Sequence, residues 1–541
     1  MISLLLGSAL APRPAAGQDQ TGAPRYRGSM GTVTVGDRQL YRISLRPELP
    51  LGRLGVALDL ELFVDEDGDL SATGWEFDTG TAAFDSFLRK IYYLRYGQPQ
   101  DPTYVRVGAL DNVTLGYGLI VSDYRNTLEY PGVKKVGAQF GRRDLAGSGI
   151  GLEGFVNNLQ DLNQGGGLIG LRLSRRAIGN LELGLSYVVD LDQYAGLLDT
   201  DGDGFPDVVD AFPGNKDLAL DNDRDGVADG VDNDDDNDGA IDVDAGAGLP
   251  DDVVASLIGL SDSHGDGIFP VDRAVSRTTP FNRDRVKRDR LAMLGLDAAY
   301  PLAERERLAL KLYGQFALLL DDDDALTAAD AAEQGIAPGN RKAKGWGLAA
   351  PGLWLQAGPL TGQLELRHFR DDFNAGYFDN LYEVDRARLD PASGQARPKD
   401  ANLARGESVS GLFGKAGAEL AGLVHASASY QYLAGADDPQ QQLIAGARLT
   451  DQLMARVPRL TEARAYYQKN YIGARLNQDG DPGSEDGFFE STEDAFYGYL
   501  LGLRLSGGVS VLWDTRYVFA READQSLERR KLMTIETVFD F

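Results

Sequence analysis

From about Tyr26 to Phe541, apolar and polar residues alternate with a period of two in runs of 9 to 13 residues. That is the spacing of strands whose two faces meet different surroundings. In 181–191, Leu181, Leu183, Leu185, Tyr187, Val189 and Leu191 fall on one side, and Glu182, Gly184, Ser186 and Asp190 on the other. The run 54–64 sets Leu54, Val56, Leu58, Leu60, Leu62 and Val64 against Gly55, Ala57, Asp59, Glu61 and Phe63, and 308–320 repeats the pattern. A tilted strand crosses a bilayer in roughly 9–11 residues, whereas a soluble sandwich uses shorter strands that bury one face against a second sheet. The predicted fold class is all-β: a transmembrane antiparallel β-barrel of about 18–20 strands, with 11 after a long central insertion and 7 to 9 before it.

No apolar run of 18 or more residues follows the N-terminus, so helical spans are excluded. Lipid tolerates no unpaired backbone, which leaves a closed barrel. The boundaries read as a signal peptide at 1–17, the first part of the barrel at 26–191, an Asp-rich insertion at 192–288 and the second part at 289–541. Counting back from a periplasmic C-terminus puts short turns near 506–508, 420–422, 357–361 and 301–306 on the inner side. The long connections near 477–494, 370–405, 321–343 and 192–288 then fall outside. Tyr104–Leu119 reads as one strand, as two, or as an inward-folded segment. In the register of 181–191, Leu185→Arg is expected to be costly and Ser186→Arg mild.

Composition sharpens this picture. Zero cysteines rule out disulfide stapling, and 66 glycines with 23 tyrosines suit strands with many turns. The start, Met1 to Ala11 followed by Pro12 to Gln18, has the apolar core and small-residue end of an export signal but no basic n-region. No plug domain of the kind that fills TonB-dependent transporters is expected before Tyr26. The formal charge of -28 excludes nucleic acid as a partner. About half of it is local: 199–244 holds 17 Asp against Lys216 and Arg224, a net of -15.

That local charge is ordered. Asp199, Asp201, Asp203, Asp207 and Asp210 are followed by Asp221, Asp223, Asp225, Asp229 and Asp232, and then by Asp234, Asp236, Asp238 and Asp242. Each set contains D-x-D-x-D-G-x-x-D. Calcium takes six to eight oxygens, and alternate acids around a glycine turn bring carboxylates to one centre. The residues resemble thrombospondin type 3 repeats, and the resemblance implies Ca2+ as the bound ion over about 45 residues while implying nothing about the barrel. A degenerate fourth copy, Asp262 to Gly267 with Asp272, puts His264 at a ligand place. Asp65, Asp67, Asp69 and Glu76 loosely match an EF-hand loop, but Gly68 is misplaced and the flanks read as strand, so a hairpin is the favoured reading.

The C-terminal run Met533 to Phe541, with Ile535, Phe539 and Phe541 on one face, resembles the strand signal of bacterial outer-membrane proteins read by the barrel assembly machinery. The chain is accordingly expected in the bacterial outer membrane, with membrane lipid as partner, an extracellular protein as a further possible partner and its oligomeric state open. His425 and Ser427 share a lumen-facing side, but with no acid close in sequence they do not make a nucleophile–base pair, and no catalysis is expected. Lumen charges are mixed, with Asp59, Glu61, Glu365 and Asp514 against Arg172, Arg367, Arg448 and Arg516. The expectation is a porin-type channel for small hydrophilic solutes, narrowed by inward loops. The alternative is a surface anchor for adhesion or assembly that displays the insertion.

Overall fold

The computed structural model describes residues 25–540 apart from short stretches within connections and the longer segments 233–240, 243–270, 273–279 and 473–486. The predicted signal at 1–17, Phe541, and the Asp262 to Gly267 copy with His264 lie outside the described residues.

Alternation becomes geometry in one closed sheet of 20 antiparallel strands. Nine precede the insertion: β1 (Arg25–Val35), β2 (Arg38–Leu51), β3 (Leu54–Leu58 and Leu60–Val64, broken at Asp59), β4 (Ile91–Tyr96), β5 (Thr103–Gly108), β6 (Gly137–Arg142), β7 (Ile150–Val156), β8 (Leu168–Arg176) and β9 (Glu182–Asp190). Eleven follow it: β10 (Leu291–Arg305), β11 (Leu308–Asp321), β12 (Lys344–Ala357), β13 (Leu360–Asp371), β14 (Ser408–Leu420), β15 (Val424–Ala434), β16 (Gln440–Leu449), β17 (Leu460–Lys469), β18 (Ala495–Ser506), β19 (Val509–Arg521) and β20 (Leu527–Asp540). The count is the upper of the two sequence readings. Thr103–Gly108 is a single strand, after which the chain leaves the wall and folds inward.

Closure comes from β1 against β20, in register from Arg27 opposite Asp540 to Thr32 opposite Ile535. This seam requires close backbone approach: a Cβ on Gly31 would lie 1.9 Å from the Ile535 carbonyl oxygen. A closed ladder leaves no edge, which is the condition for strands to sit in hydrocarbon. Tight connections at 51–54, 305–308, 357–360, 420–424 and 506–509 lie at one end, and the long ones at 190–291, 321–344, 371–408 and 469–495 at the other. The segment at Asp65 closes as a hairpin: Asp65 N–H donates to the Asp69 carbonyl and Gly68 N–H to the Asp65 carbonyl.

The outward face is the greasy one. Leu62, Leu183, Leu185, Leu296, Leu320, Leu364, Leu412 and Tyr499 are exposed, while their strand neighbours Phe63, Ser186, Asp297, Glu365 and Phe413 are buried in the lumen. Outward aromatics form a stacked row near the long-loop end, with Tyr467, Tyr497 and Tyr517 in sequence at centroid distances of 6.4 and 4.8 Å. Such a row suits a membrane interface. His368 joins the outward aromatics on β13, its Nδ1 2.7 Å from Ser410 Oγ and its ring against Trp346.

One expectation fails. Ser186 does not face open water: Ile120, Ser186 and Gly295 line one small cavity, and Ser186 is 6% exposed. An arginine there would have to displace Ile120, so Ser186→Arg is costly. Ser427, partly exposed between Gly417 and Gly446 on its two neighbouring strands, is the tolerant lumen position. Leu185→Arg is expected to destabilise by about 2–4 kcal/mol near the bilayer midplane and Ser427→Arg by less than about 0.5 kcal/mol. Urea refolding into vesicles measures both, and equal losses would show that the faces are misassigned.

Candidate functional site

Two connections turn inward and fill the lumen. One is 109–136, between β5 and β6; the other is 372–403, between β13 and β14. They join through backbone. Ser122 N–H donates to the Phe378 carbonyl, and Phe378 and Gly376 N–H donate to the carbonyls of Ile120 and Leu119. Leu119, Ile120, Val121, Tyr124, Phe373, Tyr377, Phe378 and Tyr382 form one apolar cluster with the lumen faces of β7 to β15, including Phe155, Met293, Leu319, Phe369 and Leu433. Burial of this size is the main force that holds an inserted segment in place.

The opposite wall meets the same plug through charges. Asp59, fully buried, accepts from Tyr130 Oη (3.0 Å), Lys134 Nζ (3.0 Å) and Arg46 Nη2 (3.2 Å). Tyr130 Oη in turn accepts from Arg42 and Arg46 at 2.6 and 2.7 Å. Arg42 also pairs with Glu61 and Glu536, which ties β2 to β3 and to β20. On β19, Arg516 donates to the Leu128 carbonyl, and on β14, Lys415 reaches Asp123 at 2.6 Å. Leu128 and Leu381 pack on Phe496, with Tyr466 and Val518 beside them. The plug thus touches strands on both sides of the barrel.

Below it, toward the tight turns, the lumen is wet and charged. Glu419 and Arg504 are exposed, and Arg448, Glu462 and Arg464 are partly exposed. Arg448 and Arg464 stand directly opposite each other across β16 and β17. His425 faces Arg448 on one side and Glu419 on the other, with Nε2 3.5 Å from Glu419 Oε2. Glu419, six residues earlier across the 420–424 turn, is the nearby acid that the sequence reading passed over, and hairpin register sets it opposite His425. Ser427, two residues along the strand, is not its hydrogen-bond partner.

Above the plug, the base of the insertion is tied down. Arg386 is fully buried and donates to both oxygens of Asp190 (2.6 and 2.8 Å), to Asp161 Oδ2 (3.0 Å) and to the Asp192 carbonyl (3.0 Å). Tyr194, Phe281, Ile336 and Ala396 pack together over it.

The first two acidic repeats have one conformation. Gly202 and Gly204 N–H donate to the two oxygens of Asp199, and Arg224 and Gly226 N–H to those of Asp221. Asp207 accepts from Thr200 N–H as Asp229 does from Asn222 N–H, each at 2.7 Å. Gly204 and Gly226 share φ of +93°, a value glycine adopts without strain. In each repeat three carboxylates converge with ligand atoms within 4.8 Å of one another: Asp199, Asp201 and Asp203, and Asp221, Asp223 and Asp225. Asp210, 8% exposed, adds a buried oxygen, Oδ2, with no hydrogen-bond partner among the described residues. Donors of this type and crowding fit a hard divalent cation. Asp234, Asp236 and Asp238 lie outside the described residues, and of Asp242 only the backbone is described, paired with Asp272.

Burial, with Asp203, Asp201 and Asp207 nearby, pushes the Asp210 carboxyl up to about 6. Burial likewise raises Asp199 and Asp207. A carboxyl held above its ordinary value of about 3.9 keeps its proton longer in the folded loop than in the extended chain, so its contribution falls as pH rises through about 4 to 6. Without divalent ions, amide protection factors across 199–212, each taken against the intrinsic exchange rate at its own pH, should therefore be larger at pH 5 than at pH 7.5. Equal protection factors at both values would remove the repulsion argument.

A 20-strand barrel with an apolar exterior, an even strand number and short turns at one end defines the class: a transmembrane β-barrel of bacterial outer-membrane type. No family model matches the chain, and no curated protein matches it. Solved structures do overlay it at low similarity. OpdL of Pseudomonas aeruginosa is 10% identical, with 96% of this chain and 97% of that one covered and a TM-score of 0.28. OpdK of the same organism is 8% identical over 96% and 97%, with a TM-score of 0.31. Wzi of Escherichia coli, an outer-membrane, carbohydrate-binding β-barrel involved in group 1 capsule assembly, is 12% identical over 96% and 84%, with a TM-score of 0.29. At these scores no residue here can be set against a functional residue there, and the fold stands on its own closed ladder.

Proposed function

We propose that this barrel is a gated channel of porin type for small hydrophilic solutes, and that its acidic insertion binds calcium at the cell surface. The observation that supports the channel is the charged, solvated lumen below the plug. Glu419, Arg448, Glu462, Arg464 and Arg504 give it fixed charges of both signs at partly or fully exposed positions, as in water-filled porins, where such charges set a transverse field. The lumen above it is filled by connections rather than by large side chains of the strands, and a connection can be displaced without unzipping the barrel. The full span of the plug favours a second reading, a non-transporting anchor that displays the insertion to a surface partner. Planar-bilayer recordings with and without calcium separate the two. Unit conductance steps support the channel, and silence at every voltage in both conditions leaves the anchor.

For calcium, the support is the duplicated carboxylate geometry and the buried oxygen of Asp210. Titration of the full-length protein should give heats with dissociation constants of roughly 10⁻⁴–10⁻³ M, with magnesium much weaker because its octahedral shell resists so many protein oxygens. Asp223→Ala with Asp225→Ala should remove the second site and leave the barrel folded. No calcium heat at millimolar concentrations would reduce the repeats to a solvated acidic loop.

A further inference from the structure

The two acidic repeats share a conformation but not a setting. Among the described residues a Cβ on Gly226 would meet nothing within 4 Å, whereas one on Gly204 would lie 2.9 Å from Asn282 Oδ1. The first repeat is docked: Arg283 N–H donates to the Gly204 carbonyl at 2.7 Å. From this contact a route of polar bonds, partly exposed at Arg283 and carried along the chain from Arg386 to Glu383, runs down to the plug. The Arg283 guanidinium pairs with Asp192, and the Asp192 carbonyl accepts from Arg386. One turn before Arg386 in the inserted connection, Glu383 accepts from Tyr124, from Asn157 Nδ2 (3.1 Å) and from Lys135 Nζ (2.8 Å). Tyr124 and Lys135 belong to 109–136, the other half of the plug. Lys134, beside Lys135, reaches Asp59 on the far wall.

We propose that calcium bound to the first repeat locks the lumen plug, so that surface calcium gates the barrel. The inference rests on the calcium reading above. Without the ion, Asp199, Asp201, Asp203, Asp207 and Asp210 repel one another, and the loop that carries the Gly204 carbonyl swells away from Arg283. Arg283 is then free to leave Asp192, and the Asp192–Arg386–Glu383 chain loses its upper anchor. With the ion, the carboxylates close on one centre and the loop seats on Asn282 and Arg283. Both ends bias one element, the inserted connection 372–403, which is what coupling between distant sites requires. Gly226, the counterpart of Gly204, makes no such contact with Asn282 or Arg283, so calcium bound at the second repeat should leave the lumen unchanged.

The chain has no cysteine, so a single reporter is clean. Ser122→Cys places a thiol at the joint between the two plug segments, where Ser122 N–H meets the Phe378 carbonyl. In the full-length protein, with folding checked by heat-modifiable gel migration, maleimide should label this thiol at least about fivefold faster in chelator than in 5 mM calcium, the low end of an allosteric coupling. Adding Arg283→Gln should abolish that difference while calorimetry still records calcium heat. Calcium heat with equal labelling rates overturns the coupling alone. Absence of calcium heat overturns the calcium reading and the coupling with it.

Discussion

Phe378→Ala is expected to open the barrel. Phe378 is fully buried, with Tyr377 and Tyr382 edge-on at centroid distances of 5.1 and 4.8 Å, and its backbone bonds both ways to the 109–136 segment. Its side chain therefore stabilises the inserted state of both connections at once. Truncating a buried phenylalanine costs about 3–5 kcal/mol, and each 1.4 kcal/mol is a factor of ten in an equilibrium. Because the strand ladder does not depend on Phe378, that loss falls on the balance between inserted and displaced plug. The open fraction in planar bilayers should rise about a hundredfold or more, with little change in the urea midpoint of the barrel. A variant that recorded as silently as the parent would show that the plug is a fixed core and would favour the anchor reading. Phe378→Leu, which keeps most of the apolar volume, should lie between the two.

The lipid face was legible in the sequence because membrane and lumen impose opposite chemistry on alternate residues, and strands such as 182–190 and 308–321 obey that rule except where Val188 and Leu319 pack against the plug. The strand number was legible only to within two, since Tyr104–Leu119 breaks the alternation where β5 ends and the plug begins. The plug itself was not legible. Leu119, Ile120 and Val121 are apolar in succession, and Phe373, Tyr377, Phe378 and Tyr382 crowd a connection whose length suggests a solvated loop. Those were the available signals, but what they pack against lies far away in sequence. The charges had the same difficulty. Asp59 reads as a lumen acid in β3, yet its partner Lys134 comes from a segment 75 residues on. The acidic repeats were legible because their spacing is local, and the fold adds that the first is docked on Asn282 and Arg283 through Gly204. Ser186 illustrates the limit: alternation gives the face a residue points to, and only the fold says whether that face meets water or another segment.

Arg386→Met should have the largest effect on the surface cap. Among the described residues Arg386 is the one cation bonded to both oxygens of Asp190, which is fully buried and otherwise accepts from Tyr382 Oη at 2.6 Å and from Asp192 N–H at 2.9 Å. Removing one partner of such a pair leaves a buried carboxylate without a counter-charge, a loss of about 3–5 kcal/mol, even though replacing both partners with apolar groups is often neutral. The loss falls where the insertion and the 372–403 connection meet, because Arg386 also holds Asp161 and the Asp192 carbonyl. The cap should detach while the ladder of β1 to β20 persists. Protease added to intact cells should then cut the 199–283 insertion much faster than in the parent, with heat-modifiable migration of the barrel unchanged. Asp190→Asn combined with Arg386→Met removes the stranded charge and should recover most of the resistance. Arg386→Lys, with one point of contact in place of a planar fork, should recover little. If the single and double variants are cut at the parental rate, the buried ion network does not hold the cap, and the polar route from the first acidic repeat to the lumen loses its middle link.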